Sequence, residues 1–145
     1  MTFDRQGTGL SLLRIFLGIF FLSQGLSKIH WFLDSSLLSQ RLDGWVGNVA
    51  TGSISARYLH QIAIPYAPLF ARAVPLGEIT AGLALLVGFW TRVFAFVAFL
   101  MVTNFHIASG AMFTTAFLTN GYGLPILGGT LALAIGAVRL PWSVR

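Results

Sequence analysis

Four stretches of this chain are apolar and long enough to cross a lipid bilayer as helices. About 20 mainly apolar residues span the hydrocarbon layer, and the four windows lie at about residues 9–31, 70–90, 93–109 and 122–140. The pattern predicts an all-α polytopic integral membrane protein, a bundle of four transmembrane helices. We expect residues 1–145 to form a single membrane domain.

The connection between the first two windows is long, at about residues 32–67. Apolar residues recur in it at three- and four-residue intervals, the spacing of an amphipathic helix. Two groups follow this spacing: Leu33, Leu37, Leu38, Leu42 and Trp45, and then Ile54, Tyr58, Leu59 and Ile62. The pattern predicts two short amphipathic helices that either lie on the bilayer surface or form an ordered cap over the bundle.

Small residues recur every four positions in two of the windows. The second window has Ala73, Gly77 and Ala81, and the fourth has Gly128, Ala132 and Gly136. Small residues at this spacing let membrane helices approach closely. We expect these stripes to hold the bundle together.

Composition supports a membrane protein and excludes several functions. The 145 residues are 56% hydrophobic and 9% charged, with a mean hydropathy of +0.80, whereas soluble domains carry roughly 25% charged residues. The net charge is +5, but the cations are scattered singly, so nucleic-acid binding is not expected. Because the chain has no cysteine, it cannot by itself form a disulfide, a thiolate nucleophile or an iron–sulfur site.

Four spans would place both termini and the tight turn at Arg92 on one side of the membrane. That side has Arg5, Arg92, Arg139 and Arg145 close to helix ends, whereas the cations of the other side are diluted in the long connection. Positive residues close to helix ends favour the cytoplasm. We therefore expect both termini to be cytoplasmic, with membrane lipids around the bundle.

Polar side chains from three spans fall in the same half of the bilayer. At ~1.5 Å per residue, Gln24 and Asn104 lie about 9 Å below the face that carries the long connection, and Glu78 about 12 Å below it. Lys28 and His106 come nearer the surface. Ionisable groups inside spans indicate function or pairing. The candidate site for a headgroup such as a quinone is therefore Gln24, Lys28, Glu78, Asn104 and His106.

Structural explanations remain open for these residues. Glu78 can clamp two helices by pairing with a cation, and the charged residues expected to cluster are Arg14, Lys28, Arg72, Glu78 and Arg92. Arg14 by default snorkels to the headgroups. His106 can be a boundary histidine satisfied by lipid or water, or a haem ligand if His30 supplies the second axial nitrogen. No metal-binding motif occurs in the sequence, and no metal is expected.

Two segments of the chain resemble a known membrane family. The first has Arg14-x-x-x-Gly18 followed by Gly25-x-x-Lys28. The second runs from Pro75 to Arg92, with Glu78, a Gly-Leu pair, a further Gly and a Thr-Arg pair at the hairpin. These segments resemble the DoxX-like family of small four-helix membrane proteins.

The resemblance implies a multi-pass protein of the bacterial cytoplasmic (inner) membrane. One branch of the family forms the membrane subunit of a thiosulfate:quinone oxidoreductase, so the resemblance implies a quinone-linked accessory subunit rather than a stand-alone enzyme. It carries over Arg14, Lys28, Glu78 and Arg92 as family positions. The alternative is a purely structural or assembly subunit of a larger respiratory or photosynthetic membrane complex.

Overall fold

The computed structural model describes residues 4–144, and this part of the chain is helical without a strand. The six helices are α1 Arg5–Ser27, α2 Ser36–Val46, α3 Ile54–Tyr58, α4 Ala67–Val87, α5 Thr91–Ala108 and α6 Leu124–Gly136. Shorter helical turns are Ile29–Phe32, Leu59–Ala63, Ala111–Phe113 and Thr115–Thr119. The predicted all-α class is confirmed.

Three helices, α1, α4 and α5, are long and apolar enough to cross a membrane. They have 23, 21 and 18 residues, which corresponds to about 27–35 Å of helix at 1.5 Å per residue. Helix α6 is apolar but has only 13 residues, or about 20 Å. It ends at Gly136, about four residues before the predicted end of the fourth window.

Proline occupies a different position in α4 from the one expected. The predicted window at about residues 70–90 has Pro75 in its opening turns, but the helix begins at Ala67, so Pro75 lies in its interior and Pro68 occupies the first turn. Proline in the first turn costs little because that N–H has no helical partner. An interior proline is tolerated in membrane helices when neighbouring helices pack around it, and Pro75 is fully buried.

Helices α1 and α4 come into backbone contact at three glycines, Gly18 and Gly25 in α1 and Gly82 in α4. A Cβ at Gly82 would lie 2.5 Å from the backbone nitrogen of Leu22 and 2.9 Å from the carbonyl oxygen of Gly18. A Cβ at Gly25 would lie 2.9 Å from the carbonyl oxygen of Pro75. No real Cβ tolerates such distances, so only glycine permits this interhelical contact.

The small-residue stripes predicted from the sequence are not the ones that pack the bundle. In α6, Gly128, Ala132 and Gly136 are exposed, and a Cβ at Gly128 would meet nothing within 4 Å. In α4, Ala73 is exposed, while Ala81 is buried. Four-residue spacing shows that small residues share a helix face, but it does not show which face meets another helix. The expectation is wrong for α6 and partly right for α4.

The C-terminal tail, which follows α6, packs against the N-terminal part of α1 and the C-terminal end of α4. Arg14 of α1 is fully buried, and its guanidinium donates hydrogen bonds to the carbonyl oxygens of Leu85 (2.9 Å), Leu86 (3.2 Å) and Trp142 (3.0 Å). The carbonyls of the last helical turn have no partner within their own helix. Arg14 therefore caps α4, and it also fastens the tail.

A glycine after α4 makes room for this arginine. Gly88 has a φ of 76°, a left-handed conformation that favours glycine, and a Cβ there would lie 2.2 Å from Nη1 of Arg14. The tail adds hydrogen bonds from Ser11 Oγ to the Pro141 carbonyl (2.9 Å) and from the Val144 N–H to the Val87 carbonyl (3.0 Å). These tertiary bonds hold residues 141–144 against α1 and α4.

The long connection packs on the other end of the bundle. Leu38 and Leu42 of α2 are buried in a cluster with Leu59 and with Ala71 of α4. Leu33, which belongs to the same predicted stripe, is 91% exposed. Ser53 caps the N-terminus of α3, and its hydroxyl accepts a hydrogen bond from a backbone N–H in the first turn. The connection therefore buries part of its apolar face against α4.

The glycine contact yields a test of the fold. We expect Gly82→Ala to destabilise the protein by about 1–3 kcal/mol, the usual cost of overpacking a close contact. Gly128→Ala is the matched control, since it adds the same methyl group to an open position in a helix and removes a weak helix former. Thermal unfolding in detergent compares the two. Equal stability of both variants would contradict the observed α1–α4 packing.

Candidate functional site

A cavity of about 540 Å³ opens between α1, α4, α5 and the segment that follows α5. Its volume is within the range of about 300–1,000 Å³ typical of small-molecule sites. Much of the wall is apolar, formed by aromatic and aliphatic side chains: Phe20, Phe21, Phe70, Val74, Leu100, Met101, Val102 and Phe105. The cavity can therefore accept an apolar ring or chain.

All five residues of the predicted candidate site line this one cavity. They are Gln24, Lys28, Glu78, Asn104 and His106. Gln24 is in the last turns of α1 and Lys28 follows that helix directly, Glu78 is in the middle of α4, and the other two are near the end of α5. The three elements meet with these polar groups facing a common space.

Lys28 and Glu78 form an ion pair that joins the end of α1 to α4. The Lys28 Nζ atom lies 2.7 Å from each carboxylate oxygen of Glu78, and the two side chains are 8% and 13% exposed. Lys28 also lies 3.3 Å from both the carbonyl oxygen and the side-chain oxygen of Gln24. The pair thus clamps two helices, and it also forms part of the cavity wall.

Asn104 is held by a residue that sequence reasoning did not select. The hydroxyl of Tyr58, in α3, donates a hydrogen bond of 2.5 Å to Oδ1 of Asn104. Burial raises the pKa of Tyr58, an effect that its hydrogen bond to Asn104 opposes, so the hydroxyl keeps its proton at neutral pH. In the sequence Tyr58 is one member of an apolar repeat, and no signal there connects it to Asn104.

His106 is 3% exposed, and its ring packs edge-on against Phe117. Its Nε2 atom lies 2.8 Å from the carbonyl oxygen of Tyr122. Because a carbonyl only accepts, Nε2 carries the proton, and Nδ1 is buried without a partner among the described residues. His106 is thus satisfied by the backbone rather than by lipid. His30 is exposed and does not line the cavity, so the two histidines do not form an axial pair.

The five charged residues do not form the single cluster that was expected. Only Lys28 and Glu78 pair, and each of the three arginines donates to backbone carbonyls elsewhere. Arg72 bonds Pro68 in its own helix, and Arg92 bonds Ala134 of α6. Arg14 lies at the other end of α4, so snorkelling is also wrong. The buried guanidinium of Arg14 donates its hydrogen bonds to three carbonyl oxygens of the protein rather than to lipid headgroups.

Within residues 4–144, three or more His, Asp or Glu side chains nowhere come together in a way that could hold a metal ion. The polar groups of the cavity are amides, one ion pair, one histidine and the hydroxyls of Ser109 and Tyr122. Such a set can hydrogen-bond a neutral polar headgroup and surround the rest of the ligand with apolar side chains.

Comparison with known protein families matches the DoxX model over residues 9–116. The chain belongs to the DoxX family. This confirms the resemblance seen in the segments around Arg14 and Glu78. No curated protein and no solved structure matches the chain. DoxX proteins are membrane proteins generally associated with redox-related functions. The match includes the cavity-lining residues of α1, α4 and α5, but not α6, Asn120 or Tyr122.

The ion pair of this DoxX chain can be tested by a double-mutant cycle. We expect Lys28→Met alone to cost roughly 3–5 kcal/mol of stability, because it leaves the Glu78 carboxylate buried without its partner. Lys28→Met combined with Glu78→Leu should cost less than Lys28→Met alone. Arg72→Met is the control, since this exposed arginine donates a hydrogen bond to Pro68 of its own helix and takes no part in the ion pair. Strictly additive losses in thermal unfolding would show that the two residues are not coupled.

Proposed function

We propose that this DoxX protein binds the headgroup of a membrane quinone in the cavity between α1, α4 and α5, as an accessory subunit of a redox membrane system. The observation that supports the proposal is the convergence of Gln24, Lys28, Glu78, Asn104 and His106 on a single, otherwise largely apolar cavity. A quinone has a flat apolar ring with polar oxygens, and it partitions into the bilayer. The family's association with membrane redox functions points the same way.

The location of the cavity favours a ligand that arrives from the membrane. Its walls are formed by helices that are long and apolar enough to span the bilayer. Aromatic rings such as Phe20, Phe70 and Phe105 offer flat surfaces for a quinone ring, which packs well against other rings. The amides of Gln24 and Asn104 supply the polar contacts that orient the headgroup.

The accessory role follows from the chemistry that this chain lacks. It has no cysteine, so any thiol or sulfur oxidation coupled to the quinone would take place on a partner protein. We therefore propose a larger membrane complex in which this chain supplies the quinone site. A purely structural subunit would fill the same place in a complex without binding quinone.

We also propose that α6 is a fourth crossing and that both termini face the cytoplasm of a bacterium. Helix α6 packs beside α5, and the N-terminal end of α1, the Arg92 turn and the tail meet at one end of the bundle. The other end has the long connection and the cavity. Short segments with Arg5, Arg92 and Arg139 fit the cytoplasmic side.

Ligand binding tests the function. We expect the pure protein in lipid nanodiscs to bind a short-tailed benzoquinone, and Gln24→Leu and Asn104→Leu each to weaken binding about tenfold, the loss of one hydrogen bond. Thr80→Val is the matched control, because Thr80 is on the exposed face of α4 and bonds only its own helix.

Two results would separate the alternatives. Absence of quinone binding by the wild-type protein, together with migration in a large native complex, would replace the proposal with the structural role. Equal affinity in Gln24→Leu, Asn104→Leu and Thr80→Val would mean that the quinone binds elsewhere.

Topology is tested with reporters fused to each terminus in a bacterial host. We expect a reporter that is active only in the cytoplasm to work at both ends. A periplasmic C-terminus with a cytoplasmic N-terminus would mean an odd number of crossings, and would rule out α6 as a fourth span.

A further inference from the structure

Most of the side-chain oxygens that line the cavity already accept a hydrogen bond from a protein donor. Both carboxylate oxygens of Glu78 and the side-chain oxygen of Gln24 face the Lys28 ammonium group. The side-chain oxygen of Asn104 accepts from the Tyr58 hydroxyl, and that of Asn120 accepts from the Tyr122 N–H (2.9 Å).

Two further acceptors near the cavity are similarly restricted. Ser109 Oγ accepts from the N–H of Ala111 (3.5 Å). His106 Nδ1 is buried and has no partner among the described residues. The hydroxyl of Tyr122 can donate as well as accept. A ligand that enters the cavity therefore meets few side-chain oxygens that do not already accept from a protein donor.

The donors show the opposite pattern. A carboxamide has one oxygen that accepts and one NH₂ group that donates. Gln24, Asn104 and Asn120 all line the cavity. In each of them the side-chain oxygen accepts a hydrogen bond from the protein, and the NH₂ group makes no hydrogen bond to the described residues.

The orientation of these amides is set by their partners. An ammonium group and a backbone N–H can only donate, so Gln24 and Asn120 must turn their oxygens toward Lys28 and the Tyr122 N–H. Asn104 likewise has its oxygen on the side of its partner, the Tyr58 hydroxyl, which donates to it. Tyr58 is thus a positioning residue: it acts on a ligand through the amide of Asn104.

We infer that the cavity selects a headgroup with hydrogen-bond-accepting carbonyls, the oxidised quinone, over the quinol, through amide N–H groups oriented by Lys28 and Tyr58. This inference rests on the proposed quinone site. A quinone oxygen accepts from these amides and leaves no donor of its own unpaired. A quinol hydroxyl brings an additional O–H donor to a wall where most side-chain oxygens already accept from a protein donor, so it must compete for the remaining lone pairs, whereas the amide N–H groups are free for a carbonyl.

The test compares two forms of one ligand. The full-length protein in lipid nanodiscs is titrated with a decyl-substituted benzoquinone and, under reducing conditions, with its quinol. We expect the quinone to bind about tenfold more tightly, the effect of one unsatisfied hydroxyl donor. Equal binding, or tighter binding of the quinol, would overturn the inference and leave the quinone site intact. If neither form binds, the proposed function itself fails.

Two variants test the mechanism of selection. Tyr58→Phe releases the Asn104 amide, so the preference for quinone over quinol should fall, and the infrared carbonyl band of the bound quinone should move toward its unbonded position. Tyr66→Phe is the control: it removes a hydroxyl from an exposed tyrosine outside the cavity. An unchanged preference and carbonyl band in Tyr58→Phe would contradict the positioning role.

Gln24→Glu tests the second amide without removing the partner of Lys28. The substitution keeps an oxygen toward Lys28 and replaces the free NH₂ group with a second oxygen. We expect the affinity for quinone to fall and that for quinol to rise, so that the preference narrows or reverses. If Gln24→Glu instead retains the full wild-type preference for quinone over quinol, the Gln24 amide does not contribute to the selection.

Discussion

The backbone contact between α1 and α4 is the constraint on which the rest of this structure depends. Gly18, Gly25 and Gly82 remove the side chains that would keep the two helices apart, and the helices then lie close along much of their length. At one end of this contact Arg14 reaches the last carbonyls of α4, and at the other Lys28 reaches Glu78. Both interactions require the helix spacing that the glycines provide.

The hydrocarbon layer explains why Arg14 and Lys28 each have several hydrogen-bond partners within the protein. Where water is scarce, a charged group without partners is costly, so contacts with carbonyl and carboxylate oxygens of the protein are favoured. The guanidinium N–H groups of Arg14 donate to carbonyl oxygens of a helix terminus and of the tail. The ammonium group of Lys28 donates to a carboxylate and to an amide oxygen. The first arrangement stabilises the end of a helix, and the second forms a wall beside an open cavity.

The two cations therefore differ in role: the contacts of Arg14 are structural, whereas Lys28 also borders the proposed site. Arg14 is enclosed by protein and does not line the cavity between α1, α4 and α5. Lys28 and Glu78 stabilise the bundle. Because Lys28 also binds the side-chain oxygen of Gln24, the NH₂ group of Gln24 is left to donate to a ligand. One ion pair therefore supports the fold and sets the hydrogen-bonding character of the proposed site, and Tyr58 does the same for Asn104 from outside the spans.

Hydropathy and composition alone predicted the helical class, the positions of α1, α4 and α5, and the layer that contains Gln24, Glu78 and Asn104. These are determined locally, because apolar length sets the span and the helical rise sets depth. The rotation of each helix about its own axis is not determined by the local sequence. Only tertiary structure decided that Gly82 rather than Gly128 makes the close contact, that Arg14 caps α4 instead of snorkelling, and that Tyr58 meets Asn104. Each of these depends on which faces of distant segments meet, and that is fixed by the packing of the whole bundle.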